Sequence, residues 1–339
     1  MTTKHYLERL EAEVDETHKG LGLLSVSTIL AVKARRCMMM IGLAGTGKST
    51  VCRFVAQSLG EHRYYNSLTR SSLTRLKGDL EDFGGLVVVD DLGGGETHYA
   101  TASTAVTLAE LCYAHTIRKF TVDMVVSIDN FHGSVVLNTQ PIKLSEVYLH
   151  DDWDAVAVNK ILRFYHLRRP TKSNPNDIAA KINWGIDIDR VRRPSEAGAV
   201  WLNLMRLGII QWDVGRAHEH LSWLLRAAAA LDGRDAVKPI DVKIVKRVLL
   251  SARVELAVMD RIGFSSGKLF KSDVLELITE LATYERVTLG QLCRDFKMKP
   301  TRISERLQSL GEYFVTVDFT PKTIAASKSL KELLKGAYF

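Results

Sequence analysis

The sequence predicts an α/β fold: a parallel sheet covered by helices, followed by a helical lid and a C-terminal winged helix-turn-helix. Three observations predict it. The first is alternation, since apolar runs and helix-period segments take turns from residue 21 to residue 167, the pattern of βα units. The second is Gly42-Leu43-Ala44-Gly45-Thr46-Gly47-Lys48-Ser49, a G-x-x-x-x-G-K-S motif between the apolar run Cys37–Ile41 and a helix predicted over 50–59. Strand, glycine-rich turn and helix form the context that such a loop requires. The third is the ending: three helical patterns and then two β-like runs follow the G-F-S-S-G stretch at 263–267.

Each element follows from local pattern. Tyr6, Leu7, Leu10 and Val14 recur at helical spacing within 4–19, so a short amphipathic arm is expected. Residues 21–36 read as a second helix leading into the strand at 37–41. The polar stretch 63–83 carries Arg63, Arg70, Arg75 and Lys77 beside Tyr64 and Tyr65; it reads as a nucleic-acid face or as a solvated crossing over the sheet. Leu86-Val87-Val88-Val89-Asp90-Asp91 is an apolar run ending in acid, a buried parallel strand that delivers carboxylates to the sheet's C-terminal edge. A helix is expected at 101–114, a third strand at 120–128 running into Asp129-Asn130, a short strand at 144–149 and a helix at 153–167. The polar run 171–177 marks a linker. Helical patterns fill the stretch to 260, with alanine-rich 221–231 stopped by Asp232-Gly233, and Pro239 and Asp241 opening a further helix. Beyond the hinge at 263–267, helices are expected at 268–284, 289–296 and 301–310, and β runs at 313–319 and 323–325. The expected units are an arm at 1–20, a nucleotide-binding domain at 21–169, a lid at 170–262 and a winged-helix domain at 263–339.

The loop's chemistry follows from its residue types. Glycines let the backbone curl so that consecutive N–H groups face phosphate oxygens, and the helix N-terminus adds positive potential. Gly42, Ala44, Gly45, Thr46, Gly47, Lys48, Ser49 and Thr50 are the expected nucleotide contacts. Lys48 would reach the β- and γ-phosphates, and the Ser49 hydroxyl would ligate Mg²⁺. Asp90 is expected to hold the same Mg²⁺ through water, and Asp91 to orient or deprotonate the attacking water; Glu96 is the next carboxylate should Asp91 not serve. Asn130, at the end of the expected third strand, is the candidate for positioning that water, with a turn asparagine as the plain alternative. Near the C-terminus, Lys299, Thr301, Arg302 and Arg306 are offered to a DNA major groove by the third helix, and Lys322 to phosphate by the wing. From residue 268 onward 12 Lys and Arg stand against 9 Asp and Glu; so weakly basic a balance leaves protein docking as the alternative.

Composition narrows the classes. No apolar run approaches the ~18 residues of a membrane span, and the polar start of the chain does not read as a secretory signal. Cys37, Cys52, Cys112 and Cys293 form no C-x-x-C pair, which reads as thiols of a cytoplasmic protein. The formal charge of +7 tilts toward a polyanionic partner without identifying one.

Together, the loop, the acidic strand, the polar strand end at Asn130 and the following helical domain resemble an AAA+ ATPase. Arg216-Ala217, then Leu221, Leu225, Ala227 and Ala229, then Leu231-Asp232-Gly233-Arg234-Asp235-Ala236-Val237 and Asp241-Val242 resemble the lid of MoxR-type and minichromosome-maintenance (MCM) ATPases. The resemblance implies ATP and Mg²⁺ as the bound groups and Arg216 as the sensor-2 arginine that closes on the γ-phosphate. It further implies a homo-oligomeric ring, a hexamer first, and an ATP-hydrolysing motor or remodeller on DNA in replication or a mobile element, helicases included. Arg70, Arg75, Arg118 and Lys119 would be its pore or groove contacts. Two departures stand out: Asp91 replaces the family's usual glutamate, and Glu146 stands where MCM proteins carry an arginine finger. The finger is left to Arg118, Lys143, Arg163, Arg168 or a partner protein. These departures keep open an ATP-switched initiator, loader or transposition-type regulator with slow hydrolysis. A STAND-type signalling ATPase and a MoxR-like chaperone are further alternatives.

Overall fold

Two helices precede the first strand. In the computed structural model, which describes residues 4–73, 75–92, 97–121, 124–148, 153, 157–169, 176–196, 198–261 and 268–339, they are α1 (Tyr6–Thr17) and α2 (Gly22–Lys33). α1 is the expected amphipathic arm, with Leu7, Leu10 and Val14 buried on one stripe. Its start is pinned at a distance: His5 bonds Asp241 at 3.0 Å, and the Tyr6 amide donates to Asp232 at 2.7 Å. α2 is buried along most of its length, so it is a core helix. After them come β1 (Cys37–Ile41), α3 (Lys48–Leu59), β2 (His62–Ser67), the single turns α4 (Arg70–Leu73) and α5 (Lys77–Leu80), and β3 (Leu86–Asp91). Next are α6 (His98–Ala114), β4 (Ile117–Thr121), β5 (Met124–Ile128), β6 (Ser134–Thr139), α7 (Pro141–Val147) and β7 (Ile161–Tyr165).

Five strands make one parallel sheet in the order β2-β3-β6-β1-β7. Alternate residues serve opposite layers, as the pleat requires. Met38, Met40, Val88 and Val136 join the core formed with α1, α2 and α3, whereas Met39, Val87, Val89 and Leu137 join the core formed with α6 and α7. The sheet corrects three expectations. The strand expected at 120–128 is half of an antiparallel β4–β5 hairpin outside the sheet. The strand between β3 and β1 is instead β6, buried at all six positions. The expected strand at 144–149 is largely α7, opened by a proline in its first turn, and the expected helix at 153–167 gives way to β7, which pairs with the free edge of β1. The stretch 63–83 supplies the half-exposed edge strand β2.

The helical part is α8 (Gly198–Gln211), α9 (Val214–Leu231), α10 (Pro239–Leu250) and α11 (Glu255–Val258). α8, α9 and α10 share the core of α1, α2 and α3. Then follow β8 (Met259–Arg261), β9 (Lys268–Phe270), α12 (Ser272–Thr283), β10 (Arg286–Thr288), α13 (Leu289–Asp295), α14 (Pro300–Ser309), β11 (Phe314–Phe319), β12 (Lys322–Ala326) and α15 (Lys328–Leu334). β10, β12 and β11 form an antiparallel sheet beside the helices α12, α13 and α14. Apolar side chains of this unit are continuous with the core on the second face of the parallel sheet. The stretch 263–267, the linker residues 171–175 and Glu96 lie outside the described residues. Among the described residues, no helix is long and apolar enough to cross a membrane.

Candidate functional site

The loop between β1 and α3 opens on the C-terminal edge of the sheet. Gly47 caps α3 in the left-handed region, φ +86°, and a Cβ there would meet Leu21 Cδ2 at 2.7 Å; only glycine meets both demands. A Cβ on Gly42 would press on the His166 carbonyl at 3.0 Å. Ala44-Gly45 is a tight turn, and among the described residues no backbone acceptor takes the N–H groups of Gly45, Gly47, Lys48 and Ser49. A run of open donors at a helix start is an anion site in waiting. Lys48 folds back on the loop, its Nζ 2.7 Å from both the Gly42 and Leu43 carbonyls. Burial lowers its ammonium to about 8.

Register brings the acids to the same edge. Val89 pairs with Leu137, so Asp90 on β3 and Asn138 on β6 stand one residue further along, and Asn138 Nδ2 donates to Asp90 Oδ1 at 2.9 Å. Asp91 is exposed. The loop, Asp90, Asp91, Asn138 and Thr139 line one cavity of ≈ 720 Å³. Among the described residues, the Thr139 hydroxyl, on a residue 2 % exposed, has no hydrogen-bond partner. A buried orphan hydroxyl in a cavity wall calls for a ligand atom. Ser49 and Asp90 offer the hard oxygen donors that Mg²⁺ takes, one hydroxyl and one carboxylate, with space for its waters. The residues therefore fit a Mg²⁺-bound polyphosphate.

No family model matches the chain, and no curated protein matches it.

Asn138 corrects the expectation for Asn130. β6 is parallel to β1, and Asn130 precedes β6, so it lies at the opposite edge of the sheet from the loop. There it adopts φ +58° and donates to Asp82 at 2.6 Å, which is the turn asparagine. Arg216 is likewise misplaced for the γ-phosphate. Its guanidinium stacks over the Tyr113 ring, 4.1 Å to the centroid, and bonds Glu219 at 3.4 Å. Glu219 also takes Arg36, the residue before β1, at 3.1 Å. The five residues of β1 separate that cluster from the loop by about 16 Å.

The finger candidates divide. Arg163 is 1 % exposed and paired bidentately with Glu255, Nε–Oε1 2.6 Å and Nη2–Oε2 3.0 Å, so it cannot reach another subunit. Arg168 donates to the Tyr338 carbonyl at 2.6 Å, Lys143 to Glu146 at 3.2 Å, and Arg118 to Asp129 at 3.3 Å on the exposed hairpin. Lys119 is tied to Glu110. Arg75 is exposed, and the Arg70 side chain lies outside the described residues.

Beyond Asn138 and Thr139, three more residues around the site are not assigned to it by sequence. His166, directly after β7, donates Nε2–H to the Thr46 carbonyl at 3.0 Å; burial, with Lys48 nearby, lowers its pKa to about 3, so it props the loop as a neutral ring. Arg169 and Tyr284 line the cavity from the far side. The signal for β6 was present: S-V-V-L-N-T repeats the apolar-then-polar grammar of β3. For His166 it is hidden by the helix expected over 153–167, and Arg169 falls at the change of composition that follows it.

In the C-terminal unit, Lys299, Thr301 and Arg302 are exposed at the start of α14, while Ile303 and Leu307 face inward. Arg306 is turned toward α12, bonding Glu276 at 3.1 Å. Lys322 is half-buried at the start of β12.

Proposed function

We propose that the chain is an AAA+-type ATPase that binds ATP with Mg²⁺ and acts on DNA through a C-terminal winged helix. The observation that carries the reading is the convergence, in one cavity, of the open loop amides, Lys48, Ser49, Asp90, Asp91 and Asn138. Lys48 and the amides hold the β- and γ-phosphates; Ser49 and Asp90 hold Mg²⁺, which supplies charge neutralisation on those phosphates. Asn138 fixes Asp90 and, with Asp91, orients the attacking water, whose proton Asp91 accepts. DNA is supported by helices α12, α13 and α14 beside the β11–β12 hairpin, with Lys299, Thr301 and Arg302 exposed at the start of α14.

Of the two modes, an ATP-driven switch with slow turnover has the better support and a ring motor is the second reading. The C-terminal unit contributes Tyr284 to the cavity wall, so nucleotide and DNA-binding unit meet at one place. Arg163 is consumed by a buried ion pair, which leaves an oligomeric ring to draw its finger from elsewhere.

The test is turnover and binding of ATP and GTP, with and without duplex and single-stranded DNA. Lys48→Ala is expected to lose nucleotide binding. Asn138→Ala is expected to slow hydrolysis about 100-fold while still binding, and Asn130→Ala to match the wild type. Retained turnover in Lys48→Ala removes the site; absence of DNA binding at low salt removes the DNA half.

A further inference from the structure

One wall of the cavity does more than enclose a nucleotide. The strap that follows β7, residues 166–169, is stitched on both sides. His166 holds it to the phosphate loop through the Ile41 and Thr46 carbonyls, 2.7 and 3.0 Å. On the other side the Leu167 amide donates to the Tyr338 hydroxyl at 3.3 Å, and the Arg169 amide to Thr283 Oγ1 of α12 at 3.0 Å. The Arg169 guanidinium then reaches Glu280 of α12, Nε–Oε1 2.7 Å.

That contact is close but poorly directed. The Arg169 Nε–H is not aligned on the carboxylate, and among the described residues neither Glu280 oxygen makes a hydrogen bond. Glu280 is 0 % exposed, and among the described residues Arg169 is its one ion-pair partner. A fully buried carboxylate is held there by a single misaligned cation that also borders a phosphate site. The planar guanidinium fork can make two parallel charge-assisted hydrogen bonds to a pair of phosphate oxygens, a better-directed contact than this one.

Resting on the nucleotide reading above, we propose that the terminal phosphate of a bound triphosphate takes Arg169 away from Glu280, and that α12, with the C-terminal unit behind it, is thereby released from the nucleotide domain. A diphosphate does not reach Arg169 and leaves the pair intact. The proton balance is simple. Burial holds the Glu280 carboxyl at about 7, Asp295 of α13 and Glu276 of α12 push it the same way, and Arg169 alone opposes them. Glu280 without Arg169 therefore takes up one proton from solvent near neutral pH and stays buried as the acid, or leaves the interface with its charge.

The experiment uses the full chain, with a non-hydrolysable ATP analogue and ADP as probes in competition binding, and hydrogen exchange over 272–283 as a second readout. In the wild type the analogue is expected to speed exchange in α12 and ADP to leave it slow. Arg169→Ala is expected to weaken the analogue relative to ADP by about tenfold and to abolish the nucleotide effect on exchange. Glu280→Gln, which keeps the shape and removes the charge, is expected to strengthen the analogue by about three- to tenfold. An unchanged analogue-to-ADP ratio in Arg169→Ala overturns the exchange; should that variant not fold, an unchanged ratio in Glu280→Gln does so alone. Lys48→Ala separates the two claims. Loss of both nucleotides there leaves the site standing whatever Arg169 does, and retention of both removes the site itself.

Discussion

Lys48 is held by two loop carbonyls at 2.7 Å and is lowered to about 8 by burial. A phosphate in their place stabilises the charged form and raises that value. Binding then draws in a proton wherever the free lysine is neutral and the bound one charged, which is above about 8. Nucleotide affinity is therefore expected to be flat between about pH 6.5 and 8 and to fall above it, approaching about tenfold per pH unit. Titration of a fluorescent triphosphate analogue across that range checks this; a flat profile up to about pH 9.5 would mean that Lys48 is already charged when empty. At the same scale, the loop residues, Asp90 and Asp91 were legible because a contiguous motif carries its own context. Asn138 was not, because which polar residue ends at the site depends on which strand lies between β3 and β1, and that pairing is non-local. Arg216 shows the converse: its spacing to Gly233 fitted a lid, yet the helix start it occupies packs against Tyr113 and Arg36, at the wrong end of β1.

At the scale of elements, β7 is fastened by an internal ion pair. Arg163 in β7 and Glu255 at the start of α11 make a bidentate pair, joined by the Tyr165 hydroxyl at 2.9 Å and by the Val158 and Gln211 carbonyls, both 2.9 Å from Arg163 Nη1. Glu255→Ala leaves the Arg163 charge buried without its counter-ion, at a cost of about 3–5 kcal/mol. Chemical denaturation should show the midpoint falling without a change in slope, and a loss under about 1 kcal/mol would mean that water reaches the guanidinium. A charged residue at the centre of Ile161-Leu162-Arg163-Phe164-Tyr165 is also why that run read as helix: its partner lies 92 residues away. Helices capped by local signals, such as α10 with Pro239 and Asp241, were legible for the opposite reason.

For the molecule as a whole, the four expected units share cores across their boundaries. Tyr148 after α7 stacks on Phe270 before α12, centroids 5.5 Å apart, and the C-terminal helices and β12 share the core on the second face of the sheet. Heating is accordingly expected to give one cooperative transition, with calorimetric and van 't Hoff enthalpies agreeing. Two resolved transitions would show that 268–339 folds independently. A chain cut before residue 264 is expected to lose solubility, because an apolar sheet face is uncovered. The continuity of their cores is a property of tertiary packing that no single segment records.

The contact of the Tyr338 hydroxyl with the Tyr165 carbonyl joins residues 173 positions apart. On the ribosome, elongating at about 5–20 residues per second, the strap at 166–169 emerges on the order of ten seconds or more before the tyrosine that fastens it. Throughout that interval a nascent chain exposes a complete phosphate loop whose supporting strap is still loose. Nucleotide bound during synthesis would meet a site without its far wall, because that wall is fastened only once Tyr338 has been made.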